Sequence, residues 1–243
     1  MKLANFDLRF LEQVSAIIGV DEAGRGPLAG PVCAASVYLD KVFYESAWAS
    51  EYGAEINDSK RLKESVRERI FDAVCTAPKG LIHFACHFAT VKDIELLNIL
   101  GATRKAMAQC IDELKYRTTC NYSEAFDGED PLTEVAVRQG WLFQKSTDSS
   151  IAHVLVDGKP LKPFPHPHTA IVKGDAKSLA IALASIIAKV TRDRYMHKQA
   201  EAYPEYGFIS NKGYGTPRHI AALKSAGPCK LHRMSFLSQI LSA

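Results

Sequence analysis

Two short strand-forming runs, 16–20 and 152–156, each break off at an aspartate: Asp21 after the first, Asp157 after the second. Runs of about five such residues suit buried strands, whereas a helix needs roughly ten or more. Each aspartate therefore stands where a strand leaves its sheet. A turn rich in Gly and Pro (Gly24, Gly26, Pro27, Gly30, Pro31) follows the first run, and the apolar stretch 32–39 brings the chain back as another strand. Residues 81–88 and 169–173 read as further strands. A helix is predicted from the N-cap candidates Asn57, Asp58 and Ser59, with Leu62, Val66, Ile70 and Val74 at four-residue spacing. Others are predicted over 91–114, where Gly101 weakens the middle, and near 218–225. A long one runs from 175–178 to about 200, with Leu179, Leu183, Ile186, Ile187 and Val190 as its apolar stripe. Strands mixed with helices make an α/β fold. In open sheets of that class ligands gather beyond the strand ends, where Asp21, Glu22 and Asp157 stand.

The chain has 243 residues, 47% hydrophobic and 23% charged, an ordinary globular composition. No apolar run reaches the ~18–20 residues of a membrane span. The run 16–20 is too short for a secretory signal, so the expected location is cytoplasmic. None of the six cysteines forms a C-x-x-C pair, which favours buried thiols over a zinc site or a disulfide framework. The net charge is only +3, yet residues 173–233 carry eleven Lys/Arg against four Asp/Glu. A basic C-terminal third fits a surface that faces a polyanion, or simply a solvated face. Residues 121–150 are polar, contain Asp127-Gly128-Glu129-Asp130-Pro131, and read as an insertion.

If the two aspartate-ended strands are neighbours, Asp21, Glu22 and Asp157 converge at one sheet edge. Asp175 joins them from the start of the long helix. Crowded carboxylates raise one another's pKa, and a hard divalent cation relieves the conflict. The alternative is plain: an aspartate at a strand end often only shapes a turn, and Asp175 could cap its helix.

The surrounding sequence adds to this. Gly19-Val20-Asp21-Glu22-Ala23-Gly24-Arg25-Gly26-Pro27-Leu28-Ala29-Gly30-Pro31-Val32 closely resembles the opening signature of bacterial ribonuclease HII. Asn57-Asp58-Ser59-Lys60, Val156-Asp157-Gly158 and Lys173-Gly174-Asp175-Ala176-Lys177-Ser178 are similar to that family's later blocks. So are Gly213-Tyr214-Gly215-Thr216 with His219, and His232-Arg233. The blocks follow family order from about 16 to 236.

The resemblance implies a ribonuclease H-like mixed sheet flanked by helices. It implies a catalytic domain over 1–200, with the insertion at about 121–150, and a small helical substrate-binding part over 201–243. It implies that Asp21, Glu22, Asp157 and Asp175 are catalytic carboxylates holding Mn²⁺ or Mg²⁺, two ions during catalysis. Gly24, Arg25 and Gly26 would recognise the ribose 2′-OH, the group that distinguishes RNA from DNA. Tyr214 would stack on the neighbouring sugar, and Lys60 and Lys177 would contact phosphate, helped by Ser59 and Ser178. Arg192, Asp193 and Arg194 read as a structural ion-pair group, and His219 and His232 as structural or phosphate-facing. Met234 stands where the family commonly has a second basic residue after Arg233. The expected partners are RNA–DNA hybrids and duplex DNA with embedded ribonucleotides, with no membrane, and the expected state is a monomer. Two rivals remain at this point: a metal-dependent phosphatase for small molecules, and a non-catalytic nucleic-acid binder.

Overall fold

A computed structural model describes residues 2–119 and 152–241. The segment 121–150, expected as an insertion, lies outside the described residues. Strands β1 (Ala16–Ala23), β2 (Val32–Asp40), β3 (His83–Ala89), β4 (Ala152–Asp157) and β5 (Thr169–Ile171) form one sheet in the order β3-β2-β1-β4-β5. β1 pairs antiparallel with β2 and parallel with β4, and β4 pairs parallel with β5. The sheet is mixed, as expected, and the aspartate-bearing strands β1 and β4 are parallel neighbours within it.

Period-two alternation divides the core. Ile17 faces one cluster together with Val37, Leu39 and the helix α6 (Leu179–Ala202), while Ile18 and Val20 face another with α5 (Val91–Thr119). Gly19 lies on the α6 side. A β-carbon there would lie 2.2 Å from the carbonyl carbon of Ala180, so only glycine lets the strand and helix backbones approach this closely. Residues 179–188 of α6 are buried all round, which replaces the expected one-sided stripe. The helix is sandwiched between the sheet and the helices α1 (Lys2–Leu11) and α4 (Glu64–Cys75).

β1 runs on through Asp21 and Glu22 to Ala23 rather than ending at Val20, because these residues still pair with β2. Three further boundaries differ from expectation for local reasons. α4 begins at Glu64 rather than near 57–59, because the Ser59 hydroxyl bonds Ser185 at 2.8 Å instead of capping a helix. α5 is broken at Asn98 (φ 56°, ψ 172°), not at Gly101; the Asn98 side chain accepts from the Leu100 and Gly101 amides and starts a second helix. β5 ends at Ile171, and Lys173 turns left-handed (φ 56°, ψ 48°) into a 3₁₀ turn over Gly174–Ala176.

The short helices α2 (Lys41–Glu45) and α3 (Ala47–Tyr52) follow β2. At the C-terminal end, α7 (Phe208–Asn211), α8 (Pro217–Ala226) and α9 (Met234–Leu241) gather around a third cluster. Tyr206, Phe208, Leu223 and Leu237 meet Ala29 and the end of α6 there, at Met196 and Ala200. The turn after β1 is therefore bound directly into the C-terminal part.

Candidate active site

Parallel pairing aligns Val20 with Val156, so Asp21 and Asp157 are the next residues on adjacent strands, Asp21 still paired with Ala35 of β2 and Asp157 with Ile171 of β5. The 3₁₀ turn after β5 brings Asp175 to the same edge. It is anchored there by Asp157, whose Oδ1 accepts from the Gly174 amide at 2.6 Å. The electrostatics report the convergence. Burial raises the Asp21 carboxyl well above the usual range, and the charges of Glu22 and Asp157 raise it further. Glu22 is raised by burial and by Asp157, against the pull of Arg25. Asp175 is raised by burial and by the charges of Asp157 and Asp58. Asp157 thus acts on each of the other three.

Asp21 and Glu22 are each held by neighbouring groups. Asp21 Oδ1 accepts from the Glu22 amide at 2.7 Å, and Ser185 of α6 also bonds Asp21. Ser59 bonds Ser185 in turn, so the 57–60 block supports the site through a buried hydroxyl pair. Glu22 pairs with Arg25 at 3.1 Å. Partial burial disfavours the Lys60 ammonium, yet Asp21, Asp175, Asp58 and Asp157 outweigh that effect and raise its pKa. Lys60 is the cation built into this edge.

Among the described residues, no group of three His, Cys, Asp or Glu side chains is arranged to hold a metal ion in this conformation. The donors nevertheless suit one. They are hard carboxylate oxygens, partly buried, and a divalent cation would offset the carboxylate repulsion that adds to burial in raising Asp21, Glu22 and Asp175. Glu22 accepts a hydrogen bond from Arg25 at 3.1 Å.

The 24–31 turn lies beside this edge. Gly24 (φ 93°) packs against buried Arg192; a β-carbon there would fall 1.9 Å from Arg192 Nε. Arg192 donates to the carbonyls of Pro31, Lys212 and Ala29 at 2.9, 3.0 and 3.1 Å. This corrects the expected ion-pair group at 192–194. Asp193 pairs with Lys189 and Arg194 with Glu68 and Asp72, while Arg192 points the other way, into the turn. Arg233 also points into the turn. It is fully buried and donates to the carbonyls of Gly30, Arg25 and Gly24. Arg25 and Gly26 are exposed, and a β-carbon at Gly26 would lie 3.8 Å from Cε1 of the exposed Tyr214 ring. The glycine turn and the tyrosine are neighbours, and Arg25 joins both to Glu22.

Lys177 is solvent-exposed, but Ser178 is buried and caps α6 by accepting from the Ile181 amide at 3.2 Å. Ser59 is buried as well, so neither serine faces a ligand. The basic third is thinner at the surface than its composition suggests. Arg192, Lys212 and Arg233 are buried, and Lys189 and Arg194 are held in ion pairs.

Residues 18–239 match the family model described as Ribonuclease HII. The chain belongs to the ribonuclease HII family. That makes it a hydrolase, an endoribonuclease of the ribonuclease H kind. The ribonuclease HII of Caldanaerobacter subterraneus subsp. tengcongensis is 39% identical over 230 residues, 95% of this chain and 77% of the relative. That of Fusobacterium nucleatum is 42% identical over 227 residues, 93% and 87% of the two chains. In three dimensions the chain is similar to ribonuclease H2 from Pyrococcus horikoshii (TM-score 0.63, 23% identity, 93% and 97% coverage). It is also similar to Bst-RNase HIII solved in complex with Mn²⁺ (TM-score 0.59, 16% identity, 96% and 70% coverage). These two likenesses bear on the ribonuclease H-like fold.

Proposed function

We propose that this endonuclease hydrolyses the RNA strand of RNA–DNA hybrids and also cuts on the 5′ side of single ribonucleotides embedded in duplex DNA. The observation that carries the reading is the adjacency of two groups: the carboxylates at the β1/β4 edge, and the Gly24-Arg25-Gly26 turn against the Tyr214 ring. A small-molecule phosphatase would need the first group and has no use for the second.

Asp21, Glu22, Asp157 and Asp175 would hold the cofactor, Mn²⁺ or Mg²⁺, with two ions during catalysis. Such ions supply Lewis acidity to a phosphodiester when bound. The chain's own groups do the rest. The Gly24-Arg25-Gly26 turn, with buried Gly24 shaping it and Arg25 and Gly26 exposed, meets the 2′-OH, and Tyr214 stacks on the adjoining deoxyribose. Lys60, held in its charged form by the carboxylates, and exposed Lys177 contact phosphate. The 201–243 part holds the duplex backbone, with affinity that falls as salt rises. In the reaction, water oxygen bonds to phosphorus and the bond to the upstream O3′ breaks. The products are a 5′-phosphate on the ribonucleotide and a 3′-OH on the upstream strand.

The test is a labelled RNA–DNA hybrid incubated with Mn²⁺ or Mg²⁺, with and without chelator. Metal-dependent cutting that leaves 5′-phosphate ends is the expected result. Tight binding with no cutting under any metal would move the reading to a non-catalytic hybrid binder.

A further inference from the structure

His232 and Arg233 are adjacent, almost wholly buried, and bonded in different directions. Arg233 donates at 2.9 Å to Arg25 O and at 2.6 Å to Gly24 O. In a trans peptide the N–H points opposite to the C=O. Drawing these two carbonyls inward therefore turns the amides of Arg25 and Gly26 outward, on the exposed side of the turn.

His232 reaches the other reader of the substrate. The Cys229 amide donates to His232 Nδ1 at 2.9 Å, His232 Nε2 lies 3.0 Å from His219 Nε2, and His219 Nδ1 lies 2.8 Å from the Tyr214 carbonyl. Both ends of this chain have a fixed polarity, since an amide only donates and a carbonyl only accepts. For two neutral rings one arrangement satisfies every link. His232 carries its proton on Nε2 and donates to His219 Nε2; His219 carries its proton on Nδ1 and donates to Tyr214 O. Tyr206 stands at 4.7 Å from the His232 ring and Phe208 at 5.5 Å from His219, walling the pair with apolar surface. Burial and the neighbouring His219 lower the His232 pKa to about 4, which keeps it neutral near pH 7.

We propose that His232 and Arg233 are positioning residues for substrate discrimination: Arg233 sets the Gly24-Arg25-Gly26 turn, and His232, through His219, sets Tyr214. One dipeptide thereby fixes the spacing between the 2′-OH reader and the stacking ring. The backbone supports the same brace, since Arg233 N donates to Leu28 O and Gly30 N to Leu231 O, both at 2.8 Å. The inference rests on the reading of Gly24–Gly26 and Tyr214 given under Proposed function.

The experiment measures kcat/KM on duplex DNA with one ribonucleotide and on a long hybrid, and takes their ratio. A purely structural defect lowers both values together and leaves the ratio alone. Losing one buried hydrogen bond in the relay is expected to lower the ratio about tenfold in His232→Phe. The same fall is expected in Tyr214→Ala. His232→Gln, whose amide can still donate toward His219, should stay within about threefold of wild type. Arg233→Lys keeps the charge but loses the fork, and should lower the ratio as well while Mn²⁺ affinity is unchanged.

A normal ratio in His232→Phe alongside a lowered one in Tyr214→Ala overturns the relay alone. An unchanged ratio in Tyr214→Ala overturns the reading of Tyr214 and the relay with it. An unchanged ratio in Arg233→Lys overturns the Arg233 half. Should His232→Phe not fold, ¹⁵N chemical shifts of the wild-type imidazoles still decide. Nε2–H on His232 with Nδ1–H on His219 is expected, and any other pair of states near pH 7 overturns the relay.

Discussion

Arg25 Nη1 stands 3.1 Å from Glu22 Oε1, which ties a candidate metal ligand to the turn proposed to read the ribose. The arginine is about half exposed, and such pairs contribute about 0–1 kcal/mol. Releasing Glu22 should therefore help metal binding only modestly. Arg25→Ala is expected to tighten Mn²⁺ binding to the free protein by no more than about fivefold, while raising KM for nucleic acid. Calorimetric Mn²⁺ titration checks the first effect and steady-state kinetics the second.

Asp21 is the most buried of the four carboxylates and carries the strongest upward push on its pKa. Asp21→Asn removes a charge that the fold disfavours and that a cation would need. Cleavage should fall by at least about 10²-fold, the scale for one lost electrostatic partner in a water-poor site. The melting temperature should hold or rise. A cleavage assay paired with a thermal melt separates this from simple misfolding.

Gly19→Ala places a β-carbon in the backbone of α6 at Ala180. Neither backbone can move without shifting β1, so a loss of about 1–3 kcal/mol or more is expected. Because β1 carries Asp21 and Glu22, cleavage should fall in the fraction that stays folded. Chemical denaturation gives the first quantity and single-turnover rates the second.

Asp7 of α1 is fully buried. It accepts from Tyr44 OH at 2.9 Å and from the Ala180 amide at 3.0 Å, in the first turn of α6. Burial raises its carboxyl to about 6. The folded state thus keeps a proton that the unfolded chain releases from 3.8 upward. Stability from this group is full below 3.8 and is lost as pH rises to about 6, by about 3 kcal/mol at most. Urea denaturation at pH 4 and pH 7 should show that slope in wild type and lose it in Asp7→Asn.

The site was legible because its chemistry is local. Asp21 and Asp157 each directly follow a short apolar run, and parallel pairing of the strands those runs form did the rest. What sequence missed depends on distant partners. Ser59 looks like a helix cap until Ser185, 126 positions away, takes its hydroxyl. Arg192 looks like part of an ion-pair group, but successive helical residues point about 100° apart, and its partners are carbonyls of the 29–31 turn and Lys212. His232 reads as structural or phosphate-facing until its burial and its bond to His219 are seen. α1 left a usable signal in the spacing of Ala4, Asp7 and Leu11, all buried, although a buried aspartate disguises the stripe. α2 and α3 were also marked, by the caps Asp40 and Ser46.

The central claim is that the turn and Tyr214 direct the carboxylate edge to a ribonucleotide junction. The most direct measurement maps cleavage of duplex DNA that carries one ribonucleotide, with Mn²⁺ and with chelator. A single metal-dependent nick on the 5′ side of that ribonucleotide is predicted. Cutting within long hybrids with none at the single ribonucleotide would contradict the account.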